Sequence, residues 1–171
     1  MSDALSRPIE TDRLSLRPMR PADAEDLFAI MRDPAIGAAM HEPSPENVAV
    51  VRARIASWIR GPGSDADERW LNWIARTDDG RPVAHLAATI HGRVAWLAWV
   101  VGVEHQRRGY ATEAARGVMD RLATNGIGAF AASIRDGHEA SEGVARHLGL
   151  HVTDEIIAGE RVWRTQEASL G

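Results

Sequence analysis

The stretch Trp96-Leu-Ala-Trp-Val-Val-Gly-Val-Glu-His-Gln-Arg-Arg-Gly-Tyr-Ala-Thr-Glu-Ala115 decides the fold, because a buried strand, a basic turn and a helix meet within it. Trp96 to Val103 is an almost unbroken apolar run, long enough for a strand covered on both faces. Charge begins abruptly at Glu104. Beyond Gly109, residues Ala111, Ala114, Ala115, Val118 and Leu122 recur at helical spacing, so a helix is expected to start near Gly109 or Tyr110 with its apolar stripe on a sheet. The first turn of that helix leaves backbone N–H groups without partners at the positive end of its dipole. With Arg107 and Arg108 beside them, and no side chain at Gly109 to hold a ligand off, these donors suit a phosphate or pyrophosphate. An ordinary helix start with solvated arginines is the competing reading.

Upstream of this junction, residues 70–76 and 83–90 read as two strands joined by the turn Asp78-Asp79-Gly80-Arg81-Pro82, an antiparallel hairpin. His91-Gly92-Arg93 then turns into the central strand. Nearer the start, residues 14–19 alternate as a strand, and Ala24, Leu27, Phe28 and Met31 mark a helix that Asp33-Pro34 is expected to close. Residues 36–43 are expected to be loop. Ser44-Pro45-Glu46 has the composition of a helix start, followed by the stripe Val48, Val51, Ile55, Trp58 and Ile59. Downstream, Asn125-Gly126 ends the junction helix, a strand follows at 127–134, a helix at 139–148 stops at Gly149, and residues 150–157 and 161–165 form a last hairpin. The expected fold is therefore α/β: a mixed, mostly antiparallel sheet of about seven strands flanked by about four helices, in one domain spanning 1–171 with its core at about 9–165.

Composition narrows the chemistry. Acidic residues outnumber basic ones by 24 to 20, giving a net charge of −4 without any block of like charge, so nucleic acid is not an expected partner. The chain has no cysteine, which removes disulfides, thiolate metal sites and a cysteine acyl-enzyme. Residues 1–10 do not resemble a signal peptide and no stretch is long enough to span a membrane, so a cytoplasmic location is expected.

Gln106-Arg-Arg-Gly109-Tyr-Ala111 resembles the Q/R-x-x-G-x-G/A motif of the GNAT superfamily of acyl-CoA-dependent N-acyltransferases. Thr11-Asp-Arg-Leu-Ser-Leu-Arg-Pro18 is similar to the opening strand of the branch containing the ribosomal-protein N-terminal acetyltransferases. His138-Glu-Ala-Ser141 followed by Val144-Ala-Arg-His-Leu-Gly-Leu150 resembles that branch's N-x-x-S…K-L-G-F signature. The resemblance covers roughly residues 9–165. It implies that the fourth and fifth strands splay apart to receive the pantetheine arm of acetyl-CoA, the cosubstrate, and that an acetyl group passes directly to a primary amine: a protein N-terminus, an amino acid or a small amine. No metal is implied, and association through the last hairpin or a sheet edge would make a homodimer.

On this resemblance Arg107, Arg108, Gly109, Tyr110, Ala111 and Thr112 bind the pyrophosphate end of the cofactor, and Val101, Gly102 and Val103 bind pantetheine through the main chain. A bulge at Gly102 would free an N–H near Val101 to polarise the thioester carbonyl, a donor typically worth about 3 kcal/mol in the transition state; a simple bend in a core strand is the alternative. Glu104, the first charged group where the strand opens, is the candidate base, or else a solvated carboxylate. His105 beside it titrates in a useful range. The family's asparagine is replaced by His138, a donor placed to bind cofactor and protonate the departing thiolate, and Ser141 matches the family's serine as a cofactor contact, a catalytic group or a helix cap. The tyrosine that many relatives carry four residues before the glycine is Ala145 here. That departure keeps a second hypothesis open, a non-catalytic acyl-CoA-binding sensor or assembly module.

Overall fold

The computed structural model describes residues 4–5, 7–64 and 66–166. The chain begins with strands β1 (Ile9–Glu10) and β2 (Leu14–Pro18), then helices α1 (Ala24–Met31), α2 (Pro34–Met40) and α3 (Val48–Arg60). Three strands follow, β3 (Arg69–Thr77), β4 (Pro82–His91) and β5 (Val94–Val101), then helix α4 (Tyr110–Thr124), strand β6 (Ala129–Ile134), helix α5 (Glu139–His147) and the hairpin β7 (His151–Ile157) and β8 (Glu160–Arg164). All eight strands join one open sheet in the order β1-β2-β3-β4-β5-β6-β8-β7. Every neighbouring pair is antiparallel except β5 and β6, which run parallel.

The expected mixed, mostly antiparallel sheet is present, with one strand and one helix more than the pattern indicated. β1 pairs through only Ile9 and Glu10 with Leu16 and Ser15, too short a segment to show a period. The added helix is α2, and it corrects the loop expected at 36–43. Asp33-Pro34 does end α1, but the same pair starts the next helix: the Asp33 side chain accepts from Ala35 N at 2.8 Å and Pro34 occupies the first turn, where its missing N–H costs nothing. The start of α3 also moves. Asn47 caps it by accepting from Val50 N at 3.0 Å, while the Ser44 hydroxyl donates instead to the Asp33 carbonyl at 3.3 Å.

The strand alternation sends two sets of side chains to opposite faces. Leu71, Trp73 and Ala75 join Leu86, Leu97, Val118 and Leu122 in the core under α4, whereas Ile74 packs with Leu27, Ile30, Val51 and Ile55 under α1 and α3. Arg76 fastens the second layer by donating to Asp23 at 2.9 Å and Asp26 at 2.6 Å. Besides Asp23, one buried polar side chain lies inside that layer among the described residues. His85, stacked on Trp58 with ring centres 5.0 Å apart, donates Nε2–H to Asn72 Oδ1 at 2.9 Å, and burial, reinforced by the Arg54 charge, lowers its pKa to about 4. Among the described residues, no helix is long and apolar enough to cross a membrane.

Candidate active site

The parallel pair comes apart early. β5 and β6 are registered only at Val94, Ala95 and Trp96 against Ala129, Phe130 and Ala131, although both strands continue well past those residues. On its other side β5 stays paired with β4 up to Ala84 and Val101, and Gly102 N donates to Val83 O at 3.0 Å. In an antiparallel ladder alternate residues bond to the neighbour, so Gly102, Val100 and Ala98 face β4 with their backbone groups while Val101, Trp99 and Leu97 turn theirs toward β6. Beyond Trp96 those groups border a cleft of about 620 Å³ that runs between the strands. The expected bulge at Gly102 is therefore not what aims an N–H at the slot: pairing with β4 is regular, the Gly102 N–H is spent within it, and plain alternation turns the Val101 N–H outward.

The cleft also revises the strand expected to be covered on both faces. Ala98 is exposed and Trp99, Val100 and Val101 are half-buried, because this part of β5 forms a cleft wall rather than the centre of a closed sheet. Residues from both sides of the sheet line it, Ile36, Ala39 and Met40 from α2 on one side and Thr112, Ser141 and Val144 from α4 and α5 on the other. The slot thus passes through the sheet.

At the mouth of the slot the chain makes the basic turn. Arg107 has φ 61° and Gly109 φ 78°, and Gly109 stands at the N-cap of α4, so the free N–H groups of the first helical turn face the cleft end lined by Gly109, Tyr110, Ala111 and Thr112. The turn is held from a distance. Arg13 donates Nη1–H to the Arg108 carbonyl at 2.8 Å and Nε–H to Glu113 at 2.6 Å, and its guanidinium lies 4.7 Å over the Tyr110 ring. Burial alone would raise the Glu113 pKa, but the Thr11 hydroxyl, the Arg13 N–H and the Arg13 guanidinium outweigh it and hold the carboxyl below its usual range, charged and bonded to the start of β2. Gln106 closes the turn by donating to Val101 O at 3.1 Å.

Of the residues singled out from sequence, Val101, Arg107, Gly109, Tyr110, Ala111, Thr112, His138 and Ser141 all line the cleft, as does His105. Four do not. Gly102 is buried in the ladder, and Val103, Glu104 and Arg108 are exposed outside the cleft lining. The chain leaves β5 through a short 3₁₀ turn at Val103–His105, which turns Glu104 to solvent and His105 inward.

His138 caps α5: its Nδ1 accepts from Ser141 N at 3.2 Å, so the neutral ring carries its proton on Nε2. Ala145 is fully buried in the core below α5, and the helix meets the cleft with Ala140, Ser141 and Val144 instead. A carboxylate that sequence did not reveal does face the slot. Glu160, the first residue of β8, lines the cleft and accepts from the Ser133 hydroxyl at 2.7 Å. In sequence it sits beside Ala158-Gly159 and looks like a hairpin turn; only the β6–β8 pairing carries it to the cleft. Arg135 lies at the same end and donates to His41 Nε2 at 2.8 Å.

The splayed parallel pair, a cleft through the sheet and a helix start at its mouth define an acyltransferase fold, and the family match agrees. The chain belongs to the GNAT acetyltransferases: the model of the acetyltransferase (GNAT) domain family matches residues 13–151. Three solved structures share the fold. A GNAT-family acetyltransferase from Bacillus anthracis superposes with a TM-score of 0.75 at 17% identity, over 94% of this chain and 98% of that one. RimL, a ribosomal L7/L12 alpha-N-protein acetyltransferase in complex with coenzyme A, gives 0.75 at 15% identity over 92% and 96%. Mycobacterium smegmatis RimJ, in complex with a CoA disulfide, gives 0.74 at 20% identity over 96% and 89%. A search of curated proteins finds none that matches this sequence.

Proposed function

We propose that this protein, acting as a single acyltransferase domain, transfers the acetyl group of acetyl-CoA directly to the nitrogen of a primary amine. The observation that carries the reading is the slot between β5 and β6, edged by main-chain groups of Leu97, Trp99 and Val101 and opening at the N-terminus of α4. An extended pantetheine arm fits there as an added strand would, and a pyrophosphate fits the amides of Gly109, Tyr110, Ala111 and Thr112 with the Arg107 and Arg108 charges nearby. RimL and RimJ are described with coenzyme A or its disulfide, which supports acetyl-CoA as donor here, and a cytoplasmic location fits that donor.

The chain's own residues supply the rest. The bound thioester brings the acyl group. The Val101 N–H polarises its carbonyl oxygen. Glu160, rather than the solvent-facing Glu104, takes the proton of the incoming ammonium, directly or through one water. The nitrogen lone pair then forms the new C–N bond as the C–S bond breaks, the second proton shed by the nitrogen passes through water to the departing thiolate, and the His138 Nε2–H and Ser141 hydroxyl stabilise that thiolate by hydrogen bonding. Amine and thioester held together from opposite faces of the sheet gain an effective molarity on the order of 10⁵ M or more, so a weak acid suffices and the absent tyrosine at Ala145 need not abolish transfer.

The test is acceptor-dependent release of free thiol from acetyl-CoA across a panel of amines, amino acids and peptides. Product nitrogen acetylation by mass spectrometry is the expected result. Tight binding of acetyl-CoA with no thiol release for any acceptor would replace the transferase by an acyl-CoA-binding module.

A further inference from the structure

Two oppositely charged residues of the cleft lining, Arg135 and Glu160, fall opposite each other in the sheet register and do not pair. The β6–β8 register runs through Ile134 and Arg161, so one step further it places Arg135 opposite Glu160. Directly opposed residues on antiparallel strands share a face and come close enough for an ion pair. Neither forms one among the described residues. Arg135 reaches instead to His41 at the left-handed C-cap of α2, and Glu160 is held by Ser133. Arginine has no acceptor, so His41 receives this bond on a bare Nε2 and is neutral. Both charges are thus oriented by uncharged partners. Each keeps its full charge for something else in the cleft that both line.

We infer that the acceptor is a zwitterion, a free α-amino acid or a close analogue, whose ammonium meets Glu160 while its carboxylate meets Arg135. The inference rests on the acetyltransferase reading above and narrows it. A peptide N-terminus or a polyamine offers the ammonium alone and leaves the half-buried guanidinium of Arg135 without its anion. The α2 residues Ile36, Ala39 and Met40 form an apolar side to the same end of the cleft and would contact the acceptor's side chain, favouring a small or aliphatic one.

The experiment compares thiol release by the full chain with matched acceptors: free alanine, valine and leucine, their amides and methyl esters, and dipeptides with the same N-terminal residues. Loss of a charge-assisted carboxylate contact is worth roughly tenfold or more in kcat/KM, so the free acids should lead the amides and esters by at least that factor. In Arg135→Gln the lead should vanish through a loss on the acids alone, and Arg135→Lys should restore it in part. Calorimetry with CoA should give the same affinity for wild type and Arg135→Gln. Equal or better use of amides, esters or dipeptides overturns the inference while leaving the transferase intact, and so does a lead that survives Arg135→Gln. A fall in CoA affinity would make Arg135 a donor contact and overturn it as well. Thiol release that no acceptor raises above the acceptor-free rate would sink the transferase reading and this inference together.

Discussion

One wall of the cleft, residues 97–112, is a single run of chain, whereas the other draws on four separate segments: α2, the end of β6, the start of α5 and the first residue of β8. The continuous wall works mainly through its backbone, by ladder alternation along β5, the positive φ of Arg107 and Gly109, and the free amides where α4 begins. The assembled wall presents side chains: Glu160 and Arg135 are held by tertiary contacts to Ser133 and His41, and His138 and Ser141 share a local cap bond at the start of α5. Backbone geometry suits the proposed cosubstrate, whose phosphates and amides are always the same. Side chains are what vary with the acceptor. Damage to the first wall should therefore appear in donor affinity, and damage to the second in turnover and acceptor choice.

The largest effect belongs to the assembled wall. Glu160→Gln is expected to lower kcat by roughly 10²- to 10⁴-fold at saturating acetyl-CoA and to remove the limb of the pH profile that reports the base, while Glu104→Gln leaves kcat near wild type. Steady-state kinetics of both variants decide between the two walls, because a larger loss in Glu104→Gln would return the base to the continuous one.

Behind the continuous wall, on β4 beside Val100 and on the α3 side, His85 gives the next effect. Its folded pKa of about 4 lies below the ordinary value of 6.5, so between those values the unfolded chain binds a proton that the folded chain refuses. Stability is unaffected above pH 6.5 and falls as pH drops toward 4, by up to about 3 kcal/mol. Urea unfolding at pH 7 and pH 4.5 should show the loss. His85→Gln should shrink the pH-dependent part even where it costs stability outright, and an unchanged pH dependence in that variant would remove His85 as the cause.

On the continuous wall, Gly109→Ala puts a Cβ at φ 78° and 3.3 Å from the Arg13 guanidinium, straining the turn and crowding the anion. A loss of about tenfold in CoA affinity is expected, with kcat at saturation little changed. Arg13→Met gives the smallest change. It removes the bond to the Arg108 carbonyl and the stack on Tyr110 but leaves every residue of the wall, so KM for acetyl-CoA should rise about fivefold at constant kcat, in keeping with about 1 kcal/mol for one such bond. A drop in kcat in either variant would blur the division between the walls.

The same division explains what could be read in advance. The strand, basic turn and helix of residues 96–122 carry their information in local periodicity and one glycine, and the structure has them within a few residues of expectation. The splay between the fourth and fifth expected strands, now β5 and β6, came from family resemblance, not from any period in those residues. Asp33-Pro34 misled because a proline ends one helix and begins another with equal ease, and the choice falls to Ile36 finding a buried place. Glu104 attracted notice by standing at the end of an apolar run, but a 3₁₀ turn rotates it outward, and no feature of the sequence near Glu160 announces a carboxylate in a cleft.

What the sequence determined by itself is the half of the cleft proposed for the donor: an apolar strand leading into a basic, glycine-containing helix start, since backbone donors and a left-handed glycine depend only on neighbouring residues. Tertiary structure alone decided the half proposed for the acceptor, where the pairing of β6 with β8 brings Arg135 opposite Glu160 and His41 reaches Arg135 across 94 positions of chain. Side-chain charges act over a few ångströms of space, and only the folded sheet turns those sequence distances into contact.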